Sequence, residues 1–387
     1  MSSGDLNTQV GELHLAQLSI RDFRNLSRVD IEPASRVNVI AGKNGHGKTS
    51  LLEAIYFAST SKSFRTHRMA ELVRHGAQAA HVRARFLEFQ SETTPMSREQ
   101  SAAIEGKSTT LKVDGNRPQS LSTFATRSPV VVFHPEEMEL STGPAGLRRR
   151  LLDRVSLYMD PASADRRARY EHALRARQGL LQRRSSSQEY SGADLDAFEA
   201  LCAKHGAELT QARKRAAAAL ESELSIAFSR IAAPDLKLSA HYEAGGSEQA
   251  DEALHELQQR RARDALRPSA GYGPHRDDWK LHFGDHPARL YGSQGQHRAL
   301  TLAIKIAEAS TIAQMRGLLP ILLLDDVSSE LDPERTSALF EFLAHTRSQI
   351  FLTTTRPELI VTPSIRPGER ADIHIENGKI AALPGPA

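Results

Sequence analysis

The stretch VIAGKNGHGKTSLLEAIYFA, from Val39 to Ala58, constrains this chain more than any other. A short aliphatic run ends in glycines spaced around a lysine, and residues with helical spacing follow. Gly42, Lys43, Asn44, Gly45, His46, Gly47, Lys48 and Thr49 fit G-x-x-x-x-G-K-[ST], and Ser50 comes next. Glycines let such a loop fold so that successive backbone N–H groups face one anion. Lys48 can reach β- and γ-phosphates, the Thr49 hydroxyl can ligate Mg2+, and the following helix turns its positive end toward the same phosphates. A glycine-rich turn with a chance Lys-Thr has the same letters, but the strand and helix that the motif needs flank it here. The motif predicts a nucleotide site and leaves kinase, GTPase and ATPase open.

A second motif narrows the choice. Ile321 to Asp326 reads ILLLDD, four aliphatics ending in two carboxylates. In a P-loop sheet, a strand beside the P-loop strand ends in an acid that supports Mg2+. Asp325 suits that role, and Asp326, one residue beyond the strand, suits holding or deprotonating an attacking water. Water-directed chemistry means hydrolysis. Lys48 and Asp325 lie far apart in sequence, so two chain segments must complete one sheet.

What fills the gap is helical. Leu13 to Phe23, Val29 to Ile31, Val37 to Ala41, Val82 to Phe89, Ala102 to Glu105, Leu111 to Val113 and Val130 to Phe133 read as strands. Asp114-Gly115-Asn116 reads as a hairpin turn. From Gly146 to about Arg267, Ala, Leu, Arg, Glu and Gln dominate. Phe198 to Ile231 and Glu248 to Leu266 read as helices, with a break at Ser185–Gly192. Strand character returns at Gly271, with strands at Trp279–Phe283, Pro320–Leu324 and Gln349–Thr353 and helices at Gln296–Met315 and Pro333–His345. A closing hairpin turns at Asn377-Gly378. The expected fold is α/β: a P-loop head made of residues 1–140 and 270–387, with a mainly helical arm domain of residues 141–269 between.

Within the arm the charge is lopsided. Arg148, Arg149, Arg150, Arg154, Arg166, Arg167, Arg169, Arg175, Arg177, Arg183 and Arg184 face only Asp153, Asp160, Asp165 and Glu171, although the net charge of the whole 387-residue chain is +3. Such a run suits phosphate backbones, and it equally suits a solvated helix surface. The single cysteine, Cys202, excludes an internal disulfide. No apolar stretch is long enough to span a bilayer, and the polar start MSSGDLNTQV is unlike a secretory signal, so a cytoplasmic protein is expected.

Tyr291-Gly292-Ser293-Gln294-Gly295-Gln296 precedes the helix through Met315. Ser293 and Gly295 offer a hydroxyl and bare N–H groups at a helix N-terminus, a second anion site. Two half-sites for one triphosphate in one chain suggest a head-to-tail pair. Ser293 and Gln296 also have the spacing of an ordinary capping box.

Together, the P-loop, S-x-G-Q, the aliphatic-Asp-Asp strand and Ser329-Glu330-Leu331-Asp332 resemble the ABC-type ATPase heads of SMC and related repair proteins. Leu18 to Asn25, KSFRT at Lys62–Thr66, GPHRDD at Gly273–Asp278, SQGQHR at Ser293–Arg298 and LLLDDVSSELD at Leu322–Asp332 resemble the RecF family of recombination mediators most. The resemblance implies ATP and Mg2+ as cofactors, with Lys48 and Thr49 as the Walker A pair, Asp325 as Mg2+ ligand and Asp326 as the hydrolytic carboxylate. Ser293, Gly295 and Gln296 would act in trans across an ATP-dependent homodimer, and Asp332 would be the D-loop acid. It also implies a DNA-binding clamp of DNA repair, replication and the SOS response. That clamp would act with RecR and RecO to help load RecA at single-strand gaps and single-strand/double-strand junctions.

Three departures from the wider ABC pattern stand out. No glutamine is recognisable after a strand of the first half, where His134 to Glu137 sits. Thr353-Thr354-Thr355 occupies the place where transporters carry a histidine. Asp326 is one carbon shorter than the usual glutamate. These predict weak, slow ATP hydrolysis that suits release better than motion. An ABC transporter ATPase subunit and a non-hydrolysing nucleotide-dependent platform are the competing readings.

Overall fold

The computed structural model describes residues 10–90, 94–185, 192–231, 236–267, 269–326, 346–360, 365–366 and 368–381. Its contacts divide the chain into two compact units, Met1–Met138 with Glu308–Ala387, and Glu139–Ala307.

The first unit begins with β1 (Glu12–Phe23), β2 (Leu26–Ile31), β3 (Val37–Ala41), α1 (Lys48–Thr60), β4 (Ala79–Phe89), β5 (Met96–Glu105), β6 (Ser108–Val113), α2 (Leu121–Arg127) and β7 (Val130–Phe133). Strands β2-β1-β4-β5-β6 form an antiparallel sheet. Alternation sends Leu13, Leu15, Leu18 and Ile20 of β1 and Val82, Ala84 and Phe86 of β4 to the buried face. A bulge between Leu15 and Gln17 interrupts the ladder. Gln349 repairs it: its Oε1 accepts from the Leu15 N–H at 2.7 Å and its Nε2 donates to the Leu15 carbonyl at 3.1 Å.

The second unit holds α3 (Ala145–Met159), α4 (Ser163–Ser185), α5 (Gly192–Ile231), β8 (Leu238–Glu243), α6 (Ala250–Gln259), α7 (Arg261–Ala265), β9 (Asp278–Phe283), β10 (His286–Pro287) and α8 (Ala288–Tyr291). The division falls inside α9 (Gln294–Arg316), at Glu308. Residues 270–307, expected with the head, therefore group with the helical unit. The reason is visible in the pairing: β9 is the middle strand of a sheet with β8 and β10.

The chain then completes the first unit with β11 (Ile321–Leu324), β12 (Ile350–Thr354), β13 (Arg370–Glu376) and β14 (Lys379–Ala381). The order β14-β13-β3-β12-β11-β7 makes one sheet from both ends of the chain, parallel except at β14. Every residue of β3, β11 and β12 is buried, which explains runs such as VNVIA and ILLL that do not alternate. One expectation is corrected: the ILLL strand is not beside the P-loop strand, because β12 lies between β3 and β11. All of α1 except Thr49 is buried. Leu51 and Ile55 share a core with Ile20 and Val82 of one sheet and Ile40 and Leu323 of the other, so a helix covered on nearly all sides is apolar nearly all round.

Smaller differences have local causes. The β5–β6 hairpin turns at Gly106-Lys107, while Asp114-Gly115 only folds the end of β6 back to a bridge between Val113 and Asn116. The long helix starts at Gly192, and the next helical stretch divides at Arg260. Asn377 and Gly378 both take positive φ, 48° and 75°, as a two-residue hairpin turn requires. The expected helix Pro333–His345 lies outside the described residues, as does Asp332.

The basic run is largely structural. Arg177 is fully buried, 3.1 Å from Glu199 and 2.8 Å from Asp264. Arg148 pairs with Asp278 at 2.8 Å, and Arg149 donates to the Asp277 carbonyl at 2.7 Å. Arg213, outside the run, meets Asp153 at 2.7 Å and Asp277 at 3.0 Å. The carboxylates that meet Arg148 and Arg177 come from distant segments, so a local charge count misses them. GPHRDD thus closes the interior of the helical unit: Tyr242 and the Gly245 N–H complete the shell of Asp277. Arg150, Arg169 and Arg175 remain exposed.

Candidate nucleotide site

Lys48 begins α1 directly after Gly47, whose φ of 114° a side chain would strain. Its ammonium donates to the carbonyls of Gly42 at 2.7 Å and Lys43 at 3.2 Å and lies 3.5 Å from the Asn44 side-chain oxygen. Burial pulls the Lys48 pKa below its ordinary value, and the Asp326 and Asp325 carboxylates oppose that shift. The loop is braced from outside. The Asn25 amide donates to the Gly45 carbonyl at 3.0 Å, and the Gly378 N–H donates to the His46 carbonyl at 2.9 Å. A Cβ at Gly378 would stand 2.0 Å from the Asn25 carbonyl oxygen, so the closing hairpin needs its glycine for contact as well as for φ.

The carboxylates of the far segment meet this loop. The Thr49 hydroxyl donates to Asp325 Oδ1 at 2.8 Å across 276 residues of sequence. Thr353 on β12, the intervening strand, donates to the same oxygen at 2.9 Å and accepts from the Asp326 N–H at 2.9 Å. Asp326 itself has φ of 50°, a left-handed conformation that aspartate tolerates better than most residues. Of the three threonines, Thr353 meets the Asp325 carboxylate and the Asp326 backbone, while Thr354 accepts from the Arg356 N–H.

A cavity of about 630 Å3 opens here, a size that suits a nucleotide. Asn44, Gly45, Gly47, Lys48, Thr49 and Ser50 line one part, and Asp325, Asp326 and Thr353 another. Gly42, Lys43 and His46 shape the loop without lining the cavity.

The remaining wall consists of residues to which the sequence assigned no role: Arg24, Asn25, Arg65, Glu71, Val73 and His75. Glu53 of α1, fully buried, organises the first of these. Arg24 grips it with two bonds of 2.9 and 2.8 Å, and Arg65 reaches it at 3.3 Å. Two basic side chains are thereby held at the cavity by one buried carboxylate of the P-loop helix. The signal was present in the strings DFRN and KSFRT, but nothing local linked them to Glu53. Phe64 of KSFRT also stacks near His134, 5.2 Å between ring centres.

Ser293, Gly295 and Gln296 belong to the second unit. There the capping box forms: the Ser293 N–H donates to Gln296 Oε1 at 2.8 Å, and the Gln296 N–H to Ser293 Oγ at 3.2 Å. Both side chains are used locally, yet the Ser293 hydroxyl proton stays available and the residue is exposed.

A family model described as RecF/RecN/SMC N terminal domain matches residues 14–364. The DNA replication and repair protein RecF of Anaeromyxobacter sp. (strain Fw109-5) is 37% identical over 96% of this chain and 100% of its own. The chain belongs to the RecF family. RecF of Myxococcus xanthus is 38% identical over 90% of this chain and 92% of its own. Among solved structures, the recombination mediator protein RecF-ATPrS in the RecFOR pathway has a TM-score of 0.85 at 27% identity, covering 97% of this chain and 100% of its own. RecF-ATP of the same pathway has 0.84 at 26%, covering 97% and 99%. The Smc head of Pyrococcus furiosus, at 0.52 and 16% over 96% of each chain, shares the fold. The architecture is that of an ABC-type ATPase head with its sheet split between chain segments.

Proposed function

We propose that this RecF-family chain is an ATP-dependent DNA-binding protein of recombinational repair and replication restart, in which ATP joins two copies and slow hydrolysis releases them. The observation that carries the nucleotide reading is the bond between Thr49 and Asp325, which brings P-loop and far carboxylate into one cavity. The P-loop N–H groups and the Lys48 ammonium hold the phosphates. Thr49 and Asp325 offer hard oxygen donors at one corner, a set that fits Mg2+ alongside phosphate oxygens. Bound Mg2+ supplies charge that stabilises the phosphoryl group in transfer. Asp326, its backbone fixed by Thr353, orients the water and takes its proton as ATP becomes ADP and phosphate. Arg24 and Arg65 add positive charge to the same wall.

Ser293, Gly295 and Gln296 act on the nucleotide of a second copy in this reading, and Asp332 serves as D-loop acid. The working partners are DNA at single-strand gaps and junctions, RecR, and RecO in the delivery of RecA. The names of the solved relatives, with ATP and the RecFOR pathway, support this reading. Particle mass measured with ATP, ADP or no nucleotide, with and without DNA, tests it. A dimer with ATP and Mg2+ only, and tighter DNA binding in that state, is expected. A mass and a DNA affinity indifferent to nucleotide would overturn it.

A further inference from the structure

The segment leading into Ser293 carries a surface that the nucleotide reading leaves unused. Ala288 of α8 is fully buried, while its neighbours Leu290 and Tyr291 stand 74% and 64% exposed. The Tyr291 ring packs on His286, 4.7 Å between centres, so the aromatic is propped in place. Gly292 is crowded, since a Cβ there would lie 2.9 Å from the Ala288 carbonyl oxygen and 2.8 Å from the His297 ring. Only Gly292 separates the apolar pair from Ser293 in the chain. Single exposed leucines are ordinary, but adjacent large apolar residues beside an anion-directed segment mark an interface.

The charge around the pair indicates what covers it. Between Asp285 and Glu308 the chain has no aspartate or glutamate; Lys305 is buried there, which leaves Arg289, exposed, and Arg298, half-buried, as the surface charges. Arg289 and Arg298 complement a bound polyphosphate framed by protein. A second copy of this chain with a loaded P-loop presents both. We propose that Leu290 and Tyr291 are the apolar anchor of the nucleotide-dependent dimer: they bury against the protein rim of the partner's P-loop while the Ser293 segment meets the phosphates. This rests on the reading above that Ser293 acts across a dimer, and it adds the residues that supply apolar burial. Aromatic anchors beside a polar contact carry a large share of interface energy. Tyr291→Ala is therefore expected to weaken the ATP-dependent dimer by about tenfold or more, with monomer affinity for ATP unchanged.

The lone cysteine makes a direct test possible. Cys202 is 2% exposed, and burial pushes its thiol pKa up to about 12, so it reacts poorly with thiol reagents. Full-length Tyr291→Cys then carries one reactive thiol. Its labelling rate is read with ATP, ADP or no nucleotide, and mass is measured on the same samples. Labelling that slows about tenfold with ATP alone, in step with dimer formation, supports the proposal. Loss of the dimer in Tyr291→Cys and in Leu290→Ala, with wild type still dimeric, supports it too. A full ATP dimer in which position 291 labels at the monomer rate overturns it while the trans reading stands. Absence of any ATP dimer in wild type overturns both, and the mass measurement distinguishes the two failures.

Discussion

On the proposed function the P-loop end and the Ser293 end both face phosphate, yet they are braced in opposite ways. Thr49 and Asp325 are cross-linked by a long-range bond, Asn25 and the closing hairpin hold the loop from other segments, and Arg24 grips Glu53 of α1. Ser293 is exposed and Gln296 half-buried, and their side chains are held by local bonds to each other's backbone, three residues apart. A site braced from all sides is preorganised and suits tight binding in a single chain. A locally capped, exposed segment keeps its shape but waits for a ligand from elsewhere. If this contrast is right, substitutions in the first region change nucleotide affinity or stability, and those in the second change association while the monomer's nucleotide affinity stays as it is.

The largest effect is expected at Lys48. Lys48→Ala removes a partly desolvated ammonium from the cavity, and ATP affinity of the monomer should fall by about 4 kcal/mol, roughly a thousandfold. Calorimetric titration reads this directly, and near-native affinity would break the contrast at its stronger end. Glu53→Gln comes next. It leaves two arginines facing a neutral amide in a buried place, at a cost of about 3 kcal/mol in unfolding free energy. Denaturant unfolding should show it, together with weaker ATP binding as Arg24 and Arg65 lose their anchor. Stability lost without any change in ATP affinity would make those arginines structural only.

Asp326→Asn should keep ATP binding and slow hydrolysis about a hundredfold, so that the ATP dimer outlives that of wild type. Single-turnover hydrolysis and dissociation kinetics check this, and lost ATP binding would take the hydrolytic role from Asp326. Ser293→Ala has a smaller cost, about 1.4 kcal/mol or roughly tenfold in dimerisation with ATP, at unchanged monomer affinity. Its cap removal costs the helix about 1 kcal/mol, which thermal unfolding measures separately. A drop in monomer ATP affinity here would erase the division of labour between the two ends.

What could be read from the sequence follows the same division. The P-loop was legible because glycine spacing, lysine and helix start act within a few residues, and ILLLDD because a strand covered on both faces is aliphatic throughout. The capping box was legible for the same local reason. The wall made by Arg24, Arg65 and Glu53 was not, since the three come from separate segments and meet only after α1 is enclosed between two sheets. Thr353 was hidden among three threonines because its role depends on β12 lying between β3 and β11. The arginine run was open to two readings for want of its partners. Asp277, Asp278 and Asp264 are more than a hundred residues or several helices away, and only the fold brings them to Arg149, Arg148 and Arg177.

That last point yields the smallest and most pointed prediction. Once Arg148 and Arg177 are committed to buried carboxylates, the phosphate-binding reading of the run rests on its exposed members, among them Arg169 and Arg175 on α4. If α4 follows a DNA backbone, Arg169→Gln with Arg175→Gln should lower the slope of log affinity against log salt by about two, roughly one per lost phosphate contact. The change should be uniform across DNA sequences, because phosphate contacts carry no base information. Neither residue braces the helical unit's interior, so unfolding should stay within about 0.5 kcal/mol of wild type. Binding measured over a salt series in the ATP state separates the alternatives. An unchanged slope moves the DNA face off α4 and leaves the run as what its buried members already are, the ionic interior of the arm.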